Sequence, residues 1–206
     1  TGYIDDTFLT NTNPNLLIQQ LAQAADMFQD LGFMISEEKS VIVPTQEIEY
    51  LGFIINSKSM TITLPLRKIE KIQNAVKKLM RKQRPTIRLV SSILGVLEAT
   101  HPANRFCRFF TKQMVIARNN ALKNNRGNYE AKMDMTAEML IELQWWLDNT
   151  HLLYENLIPS NPTWELRTDS SMLGWFFFNP TTKISGGGGW SELEQEYHIN
   201  YLEMKA

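Results

Sequence analysis

The sequence has one cysteine, Cys107, in 206 residues. A lone cysteine cannot staple a fold, which excludes a disulfide-built secreted scaffold and points to an intracellular protein. Histidine is scarce as well. His101, His151 and His198 stand far apart with no cysteine or second histidine beside them, so no zinc-ligand spacing exists. No apolar run approaches the roughly 20 residues of a membrane-spanning helix, and no membrane partner is expected. The opening residues Thr1-Gly2-Tyr3-Ile4 lack an initiator methionine and the basic-then-apolar shape of a signal peptide, so a piece of a longer polypeptide is expected. Low complexity is confined to Gly186-Gly187-Gly188-Gly189, which lacks the Lys-Ser/Thr of a phosphate-binding loop and reads as a tight bend between strands. Cys107, in a Phe-rich stretch, reads as a small buried apolar residue.

What is present is an ordinary globular composition, 43% hydrophobic and 21% charged, with a formal net charge of −1. That near-zero total hides a strong asymmetry. Fifteen basic residues and only Glu70 and Glu98 lie between Arg67 and Arg126, a net of +13. The remainder holds six basic and twenty acidic residues. A basic block inside an acidic chain points to a polyanionic partner, with a merely solvated helical surface as the alternative.

Periodicity sketches the elements. Residues 2–9 read as a β-hairpin with Asp5-Asp6 at its turn. Asn13-Pro14 caps a helix whose apolar set is Leu17, Leu21, Ala24, Ala25, Phe28 and Leu31, with Gly32 as its stop. Strands are expected at 41–43, 50–55 and 61–64. Pro65 opens a helix with a stripe of Leu66, Ile69, Ile72, Val76, Leu79 and Met80; Lys68, Lys71, Lys78 and Lys82 fall outside it. Thr86 caps a second helix, a third is expected over 104–122, a loop over 119–128, and a further helix over 136–147. After a linker at 159–162 the period becomes strand-like, at 163–167, 175–178 and after the four glycines, with a helix or strand beginning near His198.

The adjacent carboxylates of Asp5 and Asp6 are electrostatically costly. Like charges about 4 Å apart repel by roughly 1 kcal/mol in water and about 4 at an effective dielectric of 20. A cation relieves that repulsion, and hard carboxylate oxygens suit Mg2+ or Mn2+. A solvated Asp-Asp turn is the commoner alternative, since Tyr-x-Asp-Asp arises by chance in about one chain of this size per hundred.

The order of features narrows the choice. A Tyr-Ile-Asp-Asp hairpin is followed by a helix, Leu31-Gly32-Phe33 with Glu37-Glu38-Lys39-Ser40, the hairpin Tyr50-Leu51-Gly52-Phe53, and then basic helices. This resembles the second half of a reverse transcriptase palm followed by its thumb. The resemblance implies that Asp5 and Asp6 hold catalytic Mg2+ (or Mn2+), with Asp5 the more direct ligand. It implies that Leu51, Gly52 and Phe53 form the primer grip, and that Lys68, Lys71, Lys78 and Lys82 track the duplex backbone. Lys39 matches a position near the pyrophosphate leaving group and is equally well a surface lysine.

A second resemblance lies in Leu166-Arg167-Thr168-Asp169-Ser170-Ser171, Gly174-Trp175, Gly189-Trp190-Ser191 and His198-Ile199-Asn200-Tyr201-Leu202-Glu203. It looks like the start of a ribonuclease H domain, closest in spelling to retrotransposons of the DIRS type. Asp169 and Glu203 match two of that family's four metal-holding carboxylates; a turn cap and a surface residue are their alternatives. Trp175 and Trp190 read as core. Phe176 stands where the family often has a small residue.

The fold class expected is therefore α+β: the C-terminal part of a palm at 1–64, a helical thumb at 65–125, a helical connection at 126–162, and the N-terminal part of a ribonuclease H-like domain at 163–206. The implied activity of the parent polyprotein is RNA-directed DNA polymerisation on an RNA or DNA template with a primer strand and dNTPs; this piece alone is expected to be inactive. The alternative is a catalytically inactive, retroelement-derived nucleic-acid-binding protein.

Overall fold

The computed structural model describes every residue except 1, 4, 159–161 and 163, so Ile4 and most of the expected linker lie outside the described residues. The chain forms two compact units, Thr1–Ile158 and Pro159–Ala206.

The first unit opens with a short antiparallel hairpin, β1 (Gly2–Tyr3) and β2 (Asp6–Thr7), in which Tyr3 faces Asp6. Only Asp5 of the acid pair lies in the turn; Asp6 is on the second strand. Helix α1 (Pro14–Asp30) starts where expected, because the Asn13 side-chain oxygen accepts from the Asn15 and Leu16 N–H groups. It ends in a Schellman turn. Gly32, at φ +86, donates to the Gln29 carbonyl and Phe33 to that of Phe28, while the Phe28 and Phe33 rings meet edge-on. No residue of α1 is fully buried.

The expected strand at 41–43 does not form. Val41, Ile42 and Val43 are 59%, 63% and 71% exposed and pair with no described strand. β-branched residues favour strands only where a partner surface receives them, and none is offered here. The expected strand at 50–55 is instead a hairpin of β3 (Glu47–Tyr50) and β4 (Phe53–Asn56). Leu51 (φ 49) and Gly52 (φ 73) are both left-handed, the two-residue turn that matches strand twist. β5 (Thr61–Thr63) continues the antiparallel sheet, and β6 (Tyr154–Asn156) closes it in the order β3-β4-β5-β6. β6 was not foreseen: three residues recruited from far along the chain leave no periodic signal.

Four helices follow β5: α2 (Leu66–Met80), α3 (Ile87–Glu98), α4 (Lys112–Asn124) and α5 (Ala137–Asn149). They share one core with Ile72, Val76 and Leu79, Val90, Leu94 and Leu97, Met114, and Met139, Leu143 and Trp146 at its centre. Cys107 is buried in it, as expected, and burial pushes its thiol up. Thr86 caps α3 by accepting from the Leu89 N–H.

The helix expected over 104–122 begins eight residues later and runs on into the expected loop, ending at Asn124. Before it the chain makes two short 3-10 turns, His101–Ala103 and Phe109–Thr111. The buried Asn104 side chain accepts from the Phe106 N–H and so competes with a helical ladder. Phe110 (φ −94, ψ 18) is also non-helical, and its carbonyl accepts from Trp146 Nε1 at 2.8 Å.

The second unit is an antiparallel sheet of β7 (Arg167–Ser170), β8 (Gly174–Phe178) and β9 (Ser185–Gly189), with α6 (Ile199–Lys205) packed on β7. Trp190 and Leu202 are buried and Trp175 is half-buried. The strand expected at 163–167 lies mostly downstream, and the glycines expected to make a bend are themselves strand β9. Their smallness has a cause across the sheet. A Cβ on Gly186 would stand 2.6 Å from the Phe177 ring, and one on Gly187 2.7 Å from the Trp175 carbonyl. The rings of β8 lie over β9 and supply the cover that its glycines lack. Gly187→Val has to displace backbone rather than a flexible side chain. It is expected to destabilise this unit by about 1–3 kcal/mol, read as an earlier loss of tryptophan fluorescence on heating.

Candidate nucleic-acid interface and acidic hairpin

The β1–β2 hairpin is held by aromatic contacts rather than by its own two-residue strands. The Phe8 ring stacks on Tyr50 with centroids 4.9 Å apart, and the Tyr50 hydroxyl donates to the Asp6 carbonyl at 3.5 Å. Asp5 and Asp6 are both exposed and make no ion pair among the described residues. Tyr50 is the last residue of β3, so the tie sets the acidic hairpin beside the Leu51-Gly52-Phe53 turn. Sequence reasoning placed both hairpins but missed Phe8 and Tyr50 as the connection; two aromatics 42 positions apart give no local pattern.

Lys68 stands apart from the other lysines singled out on α2. It is half-buried, with Nζ 3.4 Å from the Gly52 carbonyl and 3.7 Å from the centroid of the Phe53 ring. Burial pushes its ammonium down from the ordinary lysine range; Glu49 opposes that and Lys71 adds to it. Arg67 grips Glu49 on β3 with both terminal guanidinium nitrogens, Nη1 and Nη2. The start of α2 is thus clamped onto the β3–β4 turn. Lys71 and Lys78 are exposed on one side of α2, two turns apart, and exposed Lys82 follows the helix end.

The basic block is not uniformly available. Arg67, Arg84, Arg88 and Arg105 pair with Glu49, Asp134, Glu130 and Glu155, all acids from outside the block. The lysines of α2 make no ion pair among the described residues, so the surplus positive charge resides largely on lysine.

In the second unit Asp169 lies on β7, opposite Phe176 of β8, and Glu203 on α6; both are exposed. The elements that carry them, β7 and α6, pack together. Beyond them, Glu194 accepts from the Ser191 hydroxyl and backbone N–H and pairs with Lys205. The Lys205 ammonium, with these Ser191 donors, holds its carboxyl down to about 2. Among the described residues no three Asp, Glu, His or Cys side chains cluster closely enough to hold a metal ion. Each carboxylate pair is hard-oxygen chemistry that suits Mg2+ as part of a larger ligand set.

No family model matches the sequence. The fold does resemble solved structures of a foamy viral protease–reverse transcriptase. The one in complex with RNA/DNA hybrid has a TM-score of 0.61 at 17% identity, covering 100% of this chain and 27% of that one. A dRH form with double-stranded DNA has 0.54 at 18%, covering 96% and 33%. A third, also with double-stranded DNA, has 0.50 at 17%, covering 90% and 37%. The chain thus spans about a third of the length of these proteins. At such identity the likeness is one of fold, and the mixed helix-and-sheet architecture is of the reverse transcriptase and ribonuclease H-like kind.

Proposed function

We propose that this chain is the palm-and-thumb portion of an RNA-directed DNA polymerase of a retroelement, DIRS-like in spelling, joined to the start of a ribonuclease H-like region. The observation that carries the reading is the tie between the acidic hairpin and the β3–β4 turn through Tyr50, Phe8 and Asp6. It sets two exposed carboxylates beside a backbone turn suited to a primer terminus, and the lysines of α2 follow directly.

In this reading Asp5 and Asp6 supply part of the ligand set for Mg2+ or Mn2+; such ions clamp the attacking and leaving oxygens of an in-line displacement. The Leu51-Gly52-Phe53 turn positions the primer end. Lys68 acts through that turn by holding the Gly52 carbonyl and capping Phe53. Lys71, Lys78 and Lys82 neutralise phosphates of the template–primer duplex, and dNTP is the second substrate. Asp169 and Glu203 belong to the second, ribonuclease H-like site.

Duplex binding tests the reading. If about five phosphates are neutralised, log affinity falls with log salt at a slope near −4 to −5. Lys71→Met and Lys78→Met each reduce that slope by about 1, whereas Lys68→Met leaves it unchanged. Salt-independent binding, or none, removes the thumb assignment. A catalytically silent nucleic-acid-binding protein gives the same slopes and is separated only by turnover.

A further inference from the structure

Phe106 and Phe109 are 56% and 71% exposed, although the apolar pattern assigns them to a helix. They lie in the turns that precede α4, with ring centroids 6.2 Å apart and planes tilted by 59°. Two adjacent exposed phenyl rings are an unfavourable surface unless something covers them.

Their surroundings indicate what does. Arg105, Arg108, Lys112, Arg118, Lys123 and Arg126 all fall between Glu98 and Glu130 with no acidic residue among them. Arg105 is anchored to Glu155 of β6 by bonds of 3.0 and 2.5 Å, and its guanidinium lies 5.6 Å from the centroid of the Phe106 ring. Arg108 and Lys112 are exposed and make no ion pair among the described residues. Arg108 and Lys112, beside the rings in sequence and exposed, select a polyanion. Exposed rings select one with aromatic faces to offer. A duplex hides those faces within its stack; a single strand presents them.

We propose that Phe106 and Phe109, with Arg108 and Lys112, form a docking site for single-stranded nucleic acid. The rings take successive bases and the cations take the intervening phosphates. The site needs neither the acidic hairpin nor a metal ion, and it extends the duplex reading above to an unpaired strand.

The test is fluorescence anisotropy of the whole chain with a labelled oligothymidylate of about twelve nucleotides, within the usual range of single-strand sites, and with the corresponding duplex. Leucine keeps the apolar bulk and removes the aromatic face. Phe106→Leu and Phe109→Leu are each expected to weaken single-strand binding about tenfold while changing duplex affinity by less than about twofold. Phe109→Tyr retains binding. Full single-strand affinity in the leucine variants overturns the proposal and points to an apolar protein partner instead. So does an equal loss on duplex, or no oligothymidylate binding by the unaltered chain. Loss of duplex binding alone counts against the preceding subsection and leaves the single-strand site standing.

Discussion

Asp5→Asn, made in the open reading frame that carries this chain, is expected to lower Mg2+-dependent primer extension by at least about a hundredfold, with duplex affinity unchanged and melting temperature no lower. Residues that only support a metal's ligands already cost about 10–100-fold when removed, so a direct ligand costs more. The amide has the shape of the carboxylate but lacks its charge. Asp5 is exposed in a turn with no ion-pair partner among the described residues, so its loss leaves no cavity. Relieving its repulsion with Asp6 can only help the fold, by roughly 1 kcal/mol in water. Primer-extension rates and thermal melts of both forms check the claim together. Undiminished extension would show that the carboxylate is not a ligand. A lower melting temperature would show that its role is structural. Extension by neither form, with binding intact, favours the silent binding protein.

The second large effect concerns the helical core of the first unit. Glu142, on α5, is only 8% exposed and accepts from the Gln113 and Met114 N–H groups at 2.7 and 2.9 Å. These are orphan donors of the first turn of α4, so one helix caps another, and the carboxylate also faces the positive end of the α4 dipole. Glu142→Leu strands both donors in a dry site. At about 1–3 kcal/mol for each unsatisfied group, the expected cost is about 2–6 kcal/mol. For a unit of this size that is a fall in melting temperature of roughly 4–24 °C. Glu142→Gln keeps one acceptor oxygen and is expected to lose about half as much. A melt in which leucine and glutamine behave alike would refute the capping role. Because α4 packs on α5 and α5 on α2, the leucine variant also loosens the support of the Lys71–Lys78 face.

Local signals carried much of the architecture. Asn13-Pro14, Gly32 and Thr86 mark their helix ends correctly because each acts on backbone within three residues of itself. From Ile69 to Met80 the apolar stripe of α2 marks the core because a 3.6-residue repeat is visible without any partner. The readings that failed depended on distant partners. Residues 41–43 have strand propensity without a neighbouring strand, β9 has glycines that only the rings of β8 make sense of, and α4 starts where Glu142 reaches across to cap it.

The candidate site divides in the same way. Asp5-Asp6 and the basic block could be named from residue type, because charge is a property of short segments; the Leu51-Gly52-Phe53 turn, Asp169 and Glu203 were named through the family resemblance. Only the tertiary fold decided that Tyr50 and Phe8 join the two hairpins, that Lys68 turns inward while Lys71 and Lys78 stay exposed, and that in the basic block the ion pairs among the described residues take arginines rather than lysines. It also left Phe106 and Phe109 facing water. The physical reason is range. Propensity, capping and net charge act over a few residues, whereas pairing, burial and exposure are set by whichever remote segment packs alongside.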